Sequence, residues 1–429
     1  MLGLSEAAAT LVRPQGSVGV PVPAYDGACI ANLFPTVFRS LDRPAGPGPA
    51  LAPGLRRDLD PWSEHPIDGP VVVFLVDGFG WCAEQEWLTR SADPASKAWA
   101  SHSRPITTVF PTTTTAALTA LCTGTPPARN GVVGYRQFLP RFGLMADLLK
   151  MSPLGIPAPG TLVGPEWSAE LISSASPVFA RGLRGTVITR EAFEGSGLSR
   201  VLYGGAEFVG YATASELAHH LIEVLGRPTP PEVVFAYWDE LDTVHHRRGP
   251  TATLFDFEAE RLTHLVAHVA RQLPKARARS TTLLVTGDHG QVPSAREHQV
   301  RIDQIPDIAR EMAYPLGGDR RCGYFGARPG RVEALRRALV RHLPSGARIL
   351  SMDDVLDAGL FGPPPYHPEV HERLGDLLAI MPVPYGLTYM LPGASTPRRH
   401  LLGSHGGLEP AELLVPLVSG PLSDFEPPA

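Results

Sequence analysis

Three short runs of consecutive apolar residues, rich in β-branched types, mark the first two thirds of the chain: Val71–Val76, residues 233–237 and residues 282–286. A run that is apolar at every position, rather than at alternate ones, fits a strand covered on both faces, as in a parallel sheet. Helical periodicity over residues 214–225 precedes the second run, and residues 252–272 precede the third in the same way. The alternation predicts an α/β chain. Ligands of such sheets gather at the carboxyl ends of the strands, so polar residues just beyond the three runs are candidates for one shared site.

Texture also divides the chain. Residues 1–69 are rich in Pro, Gly and Ala and predict an arm wrapping the main body, with a short helix near 31–41 and a flexible turn segment over 44–53. Residues 70–290 form the predicted catalytic α/β core. Residues 291–400 predict a smaller inserted α+β module, with a helix over 331–342, a rigid turn at Pro363 to Pro365 and a strand over 375–381. Residues 401–429 would return a helix and a strand to complete the core sheet.

Composition adds exclusions. At 429 residues, 43% hydrophobic and 19% charged, the chain can bury a large core, and wholesale disorder is excluded. A net charge of −5 offers no global attraction to nucleic acid or an anionic membrane. Cys29, Cys82, Cys122 and Cys322 show no Cys-x-x-Cys spacing, so neither a zinc ribbon nor a disulfide framework is readable. With no signal-like N-terminus and no apolar stretch of spanning length, the expectation is a cytoplasmic protein.

The chemistry lies in four polar clusters. Asp77 follows the first apolar run; Asp239, Glu240, Asp242, His245 and His246 follow the second; Asp288-His289-Gly290 follows the third; His405-Gly406-Gly407 comes near the C-terminus. Carboxylates and imidazoles without thiolates suit Zn²⁺ or Mn²⁺, and a pair of such ions about 4 Å apart serves phosphoryl transfer. Asp242 and His246 share one face if helical, but His245 stands three residues from Asp242 and is equally placed by spacing. Asp239 and Glu240 read as spare carboxylates, solvated or supporting. Between the first two clusters, Thr112-Thr113-Thr114-Thr115 opens an apolar helix that ends at Thr123-Gly124. Any of these hydroxyls could cap the helix; one at the positive end of the helix dipole could instead meet a phosphate as nucleophile.

This ordered set resembles the type I phosphodiesterase and nucleotide pyrophosphatase branch of the alkaline phosphatase superfamily, over roughly residues 70–420. The resemblance implies an alkaline-phosphatase-like three-layer sandwich with a mostly parallel sheet. It also implies two divalent ions: Asp242, His246 and His405 would hold one, and Asp77, Asp288, His289 and the Thr114 oxygen the other. It thereby selects His246 over His245. The family's nucleophile stands ten residues before the Gly of the helix-ending Thr-Gly, which is Thr114; alignment on Phe110-Pro111 would instead offer Val109, which cannot attack phosphorus. Tyr135 stands where family diesterases have a phosphate-binding Asn, and its phenol could donate to a phosphate oxygen or simply pack. Arg320 and Arg321 could bind a terminal phosphate dianion or remain solvated.

The implied activity is hydrolysis of phosphodiester or pyrophosphate bonds in a small phosphate ester or nucleotide, through a covalent phosphothreonine. A phosphomonoesterase, phosphonate hydrolase or phosphomutase would share the ions. A silent binding protein is the rival from outside enzymes, and the complete set of buried-type ligands argues against it. Oligomeric state is not readable from the residues.

Overall fold

The computed structural model describes residues 4–16, 18–64, 66–392 and 400–427. Its main sheet has seven strands: β1 (Val71–Val76), β2 (Ser103–Thr107), β3 (Gly185–Arg190), β4 (Glu207–Tyr211), β5 (Val233–Trp238), β6 (Thr282–Gly287) and β7 (Leu414–Pro421). They lie in the order β2-β7-β6-β1-β5-β3-β4. β6, β1, β5, β3 and β4 run parallel, while β7 is antiparallel to both β6 and β2. The three apolar runs are therefore the three adjacent strands β6, β1 and β5 at the middle of the sheet.

Their double-sided burial follows from alternation. Val71, Val73 and Leu75 join one core, with Phe34, Val37, Leu118 and Leu121. Val72, Phe74 and Val76 join the opposite core, with Leu217, Leu221, Leu262 and Val266. Helices Leu33–Ser40 and Thr114–Thr123 thus cover one face, and helices Ala214–Gly226 and Ala252–Gln272 the other, giving three layers. Burying each such side chain contributes roughly 1.5–3 kcal/mol. The predicted N-terminal arm is partly core: Ile30, Ala31, Leu33, Phe34 and Val37 are fully buried.

A second, antiparallel sheet stands beyond the carboxyl ends. It is assembled from Arg348–Ser351, Leu377–Ile380, Cys322–Phe325, Gly317–Gly318, Arg136–Leu139, Leu144–Asp147 and Ser152–Pro153, in that spatial order. The segment 136–153 interrupts the stretch assigned to the core from sequence, so this sheet is built from two separate insertions. No helix among the described residues is long and apolar enough to cross a membrane.

Candidate active site

Register brings the clusters to one level. Gly287 pairs with Val76, and Val76 with Trp238, so β6, β1 and β5 end flush. Asp77 and Asp288 leave directly from the ends of β1 and β6, while helix Glu240–Arg248, following β5, presents Asp242 and His246 on one face. His246 Nε2 lies 3.3 Å from Asp242 Oδ2. His405 arrives from a short ribbon in which Val292 pairs with Ser404, next to the loop carrying His289. The His289 and His405 rings stack with centroids 3.7 Å apart. His289 Nε2 is 3.5 Å from both Asp77 Oδ1 and Asp288 Oδ2. His405 Nε2 is 3.3 Å from His246 Nε2 and 4.0 Å from Asp242 Oδ1.

The six carboxylate and imidazole residues that the resemblance names as ligands, Asp77, Asp242, His246, Asp288, His289 and His405, therefore converge. Two overlapping donor groups emerge, Asp77-Asp288-His289 and Asp242-His289-His405, with donor atoms of each group within 4.8 Å of one another. His289 belongs to both. His246 sits at the edge of the second group, in contact with Asp242 and His405.

The hydrogen bonds decide which nitrogen of each imidazole faces the cluster. Nδ1 of His246 meets Gly403 O at 2.9 Å, Nδ1 of His289 meets Gly290 O at 3.1 Å, and Nδ1 of His405 meets Thr112 O at 2.9 Å. A carbonyl only accepts, so each Nδ1 carries the proton and each Nε2 turns a lone pair inward. Burial keeps His289 and His405 neutral, pushing His289 down to about 3 and His405 well below its ordinary value. Burial also pushes the carboxyls up, Asp242 and Asp288 to about 6, and Asp77 well above its ordinary value. Among the described residues no Lys or Arg pairs with any of the three. Asp77 Oδ1 and Asp288 Oδ2 are buried without a hydrogen-bond donor. Lone pairs facing lone pairs and unpartnered buried carboxylate oxygens are costly unless a cation sits among them, and the all-O,N donor set fits Zn²⁺ or Mn²⁺.

The four threonines separate by partner. Thr112 Oγ1 donates to Gly407 O at 3.0 Å and accepts from Gly406 N at 2.9 Å. Thr115 Oγ1 donates to Gly134 O at 3.0 Å. Thr113, the residue before helix Thr114–Thr123, makes no side-chain cap and its hydroxyl is buried without a partner. Thr114 Oγ1 lies 3.3 Å from His289 Nε2, half-buried at the first helical position, where free backbone N–H groups and the dipole favour an anion. The helix ends at Gly124 in the left-handed region, φ 64°.

Other candidates resolve differently. His245 turns away, buried 6.4 Å from the Phe255 ring, with neither ring nitrogen hydrogen-bonded. Asp239 and Glu240 are partly exposed and not among the inward donors; Arg190 holds them at 2.8 Å and 3.0 Å. Tyr135 lines the cleft, but its hydroxyl donates to Asp147 Oδ2 at 2.9 Å, which removes the free donor expected of it. The Arg320–Arg321 pair splits: Arg321 is buried against Glu412, Nε to Oε1 3.1 Å, and cannot reach a substrate, whereas Arg320 lines the cleft. Two supporting residues went unread in the sequence. The Tyr237 hydroxyl donates to Asp77 Oδ2, and Gln291 donates to Asp242 Oδ1. Gln291 follows Asp288-His289-Gly290 directly, so proximity was its signal. The whole site opens into a cleft of about 720 Å³ between the sheet ends and the second sheet.

Comparison with known proteins matches this arrangement. A model of the type I phosphodiesterase / nucleotide pyrophosphatase family matches residues 71–153 and 160–408. Among solved structures, murine ectonucleotide pyrophosphatase / phosphodiesterase 5 is similar at 18% identity and TM-score 0.61, over 81% of this chain and 87% of that one. An inactive Thr-to-Ala variant of the murine protein, in complex with AMP, is similar at 17% identity and TM-score 0.61, over 81% and 87%. Phosphonoacetate hydrolase from Sinorhizobium meliloti, in complex with phosphonoformate, is similar at 17% identity and TM-score 0.57, over 82% and 90%.

Proposed function

This chain belongs to the type I phosphodiesterase / nucleotide pyrophosphatase family, hydrolases of phosphoric esters and anhydrides, and on that premise we propose that it cleaves phosphodiester or pyrophosphate bonds through a phosphothreonine at Thr114. The observation that carries the reading is the position of Thr114 Oγ1, at a helix N-terminus and 3.3 Å from the imidazole shared by both donor groups. Asp242, His246 and His405 would hold one divalent ion, and Asp77, Asp288 and His289 the other. Bound there, such ions lower the pKa of hydroxyl and water and neutralise developing charge on phosphate oxygens. The protein's own part is positional. Helix Thr114–Thr123 aims the hydroxyl and offers its first N–H groups to the phosphoryl oxygens. Thr114 Oγ1 displaces the alcohol or phosphate leaving group in line, breaking the P–O bond as the Oγ1–P bond forms. The Thr114 proton goes with the leaving group; from a diester the threonyl phosphate keeps its second ester substituent, and water then breaks the Oγ1–P bond, releasing the monoester and regenerating the hydroxyl.

The complex of the murine relative with AMP supports a nucleotide as the substrate class, and that protein's inactive Thr-to-Ala form supports a threonine as nucleophile. All four thiols are free, which suits a reducing compartment. The test combines metal analysis of purified protein, turnover of bis-nitrophenyl phosphate, and acid quench followed by mass spectrometric mapping of the labelled residue. Two ions per chain, turnover and a nitrophenylphosphoryl group on Thr114 are expected; metal-free protein of full activity refutes the reading.

A further inference from the structure

The wall opposite the reaction centre carries a second recognition feature. Arg136, on the strand Arg136–Leu139, and Arg320, at the tip of the hairpin joining Gly317–Gly318 to Cys322–Phe325, both line the cleft. Arg136 stands across the ladder from Gly318, two residues before Arg320, so the two cations face the same space. Among the described residues neither has a carboxylate within salt-bridge distance. The Nε of Arg136 is buried with no hydrogen-bond partner, and Arg320 makes one contact, 3.3 Å to Gln299 Oε1.

The two most deeply buried arginines of the same module are treated differently. Arg321 is neutralised by Glu412, and Arg373, equally buried, donates to Gly131 O, Ile172 O and Glu369. Arg129 and Arg181 also leave one buried nitrogen without a partner, but each keeps a backbone carbonyl acceptor, Ala50 O and Pro364 O for Arg129 and Gly46 O for Arg181. Two like charges on a half-buried wall, with no carboxylate in salt-bridge range, cost stability. Burial and the neighbouring Arg136 both hold Arg320 below its ordinary pKa, with Asp319 opposing. Two acids stand beside the pair, each with another partner. Asp147, directly across the ladder from Arg136, accepts from the Tyr135 hydroxyl and lies 3.9 Å from Lys150 Nζ. Asp319 Oδ1 accepts from the backbone N–H of Arg320, and its Cβ abuts Gly406 on the reaction-centre side. Arg301 on the same wall is occupied by Asp303, and Arg296 is exposed at the mouth.

The hairpin tip is held rigidly. Leu387 N donates to Arg320 O at 2.7 Å, Met381 N to Arg321 O at 2.9 Å, and Asp319 N to Cys322 O at 2.7 Å. Arg320 is therefore presented on a fixed backbone, the arrangement suited to forked recognition of a carboxylate or phosphate.

We infer that Arg136 and Arg320 form an anion subsite, separate from the carboxylate–imidazole cluster, that selects substrates bearing a second anionic group, phosphate or carboxylate, beyond the phosphorus under attack. This rests on the hydrolase reading only for the identity of the reacting end. The experiment uses the metal-loaded, full-length protein and two readouts. Calorimetry compares propylphosphonate, phosphonopropionate and propane bisphosphonate. Kinetics compares nitrophenyl esters of ethyl, carboxyethyl and phosphonooxyethyl phosphate. The wild-type protein should bind at least one doubly anionic phosphonate, and cleave the matching ester, about tenfold better than the singly charged reference, and the better arm names the second group. In Arg320→Gln and Arg136→Gln that ratio should collapse toward one, with circular dichroism unchanged, while Arg320→Lys keeps part of it. Equal binding of all three phosphonates by the wild type, or an unchanged ratio in both Gln variants, overturns the subsite. Absence of all ester turnover with the binding ratio intact would refute the hydrolase reading and leave the subsite standing.

Discussion

Replacing Thr114 by Ala separates chemistry from stability in a way its neighbours cannot. Thr114 Oγ1 caps no backbone group; its close polar neighbours are His289 Nε2 and the Asp288 carboxylate, which keep other partners, His289 Nδ1 on Gly290 O and Asp288 Oδ1 on Gly78 N and His289 N. Ala is also the better helix former, by up to about 0.7 kcal/mol. Folding stability should therefore stay within about 0.5 kcal/mol of wild type. The covalent route, by contrast, is lost entirely, and a fall of about three decades in kcat corresponds to about 4 kcal/mol of lost transition-state stabilisation. Thr112→Ala should show the reverse. It strands Gly406 N and Gly407 O, about 1–3 kcal/mol in stability, in the loop that follows His405. Thr115→Ala loses one bond to Gly134 O, about 1 kcal/mol, and Thr113→Ala loses none. Thr114→Ser should retain partial activity. The assay is kcat on a chromogenic diester beside thermal melting of each variant, with phosphopeptide mapping after acid quench. Near wild-type kcat in Thr114→Ala would refute the assignment, and phosphate found on Thr113 would move the nucleophile by one residue.

Asp288→Asn and His405→Ala should each lower bound metal from two equivalents toward one with large loss of activity, read by elemental analysis of dialysed protein; two retained ions in either would remove that residue from the ligand set. Tyr237→Phe removes the hydroxyl that orients Asp77, and chelator competition should show metal bound about tenfold more weakly; an unchanged affinity would make the contact incidental. Diesters should be cleaved better than monoesters by a modest margin, since Tyr135 stands in for the Asn and is engaged by Asp147; a monoester with kcat/KM above every diester would reverse the order. Away from the site, burial raises the Glu84 carboxyl from 4.5 to about 7, against hydrogen bonds from Ser103 and Trp99 that favour the anion. Its folded pKa lies above the unfolded one, so the native state holds the extra proton. The associated stability is complete below pH 4.5 and lost as pH rises through about 7. Melting of the wild type should weaken across that window by about 3 kcal/mol, and Glu84→Gln should flatten the dependence; parallel profiles would dismiss it.

What was legible in the sequence was whatever a period or an order encodes. Val71–Val76 is apolar at all positions because both faces are covered, and that alone identifies a central strand. The order Asp77, Thr114, Asp242, His246, Asp288, His289 and His405 carries through to one site because strand ends and the loops after them are set by topology. The second sheet was less legible. Its strand Arg136–Leu139 lies some 180 residues from its ladder partner Gly318, and two-residue strands such as Gly317–Gly318 leave no period to read. Adjacent Arg320 and Arg321 read as one exposed pair, yet in a strand-like hairpin neighbours point to opposite sides, one into the cleft and one into the core. Tyr237 looked like the end of an apolar strand because its ring is core and only its hydroxyl serves Asp77.

That opposition of Arg320 and Arg321 also ties the two halves of the site together. Glu412, fully buried, accepts from Arg321 Nε at 3.1 Å and from Gly407 N at 2.9 Å. One carboxylate thus anchors the hairpin whose tip carries Arg320 and the loop that begins with His405. The attachment is charge-assisted on the arginine side and desolvated on both, the condition under which loss of one partner costs several kcal/mol. The distance between the reacting phosphorus and a second anion is consequently set by packing rather than by a flexible arm. A substrate is then measured by the span between its two anionic groups, and the insertions that build the second sheet can alter that span while the ends of β1, β5 and β6, where the chemistry sits, remain fixed by the core beneath them.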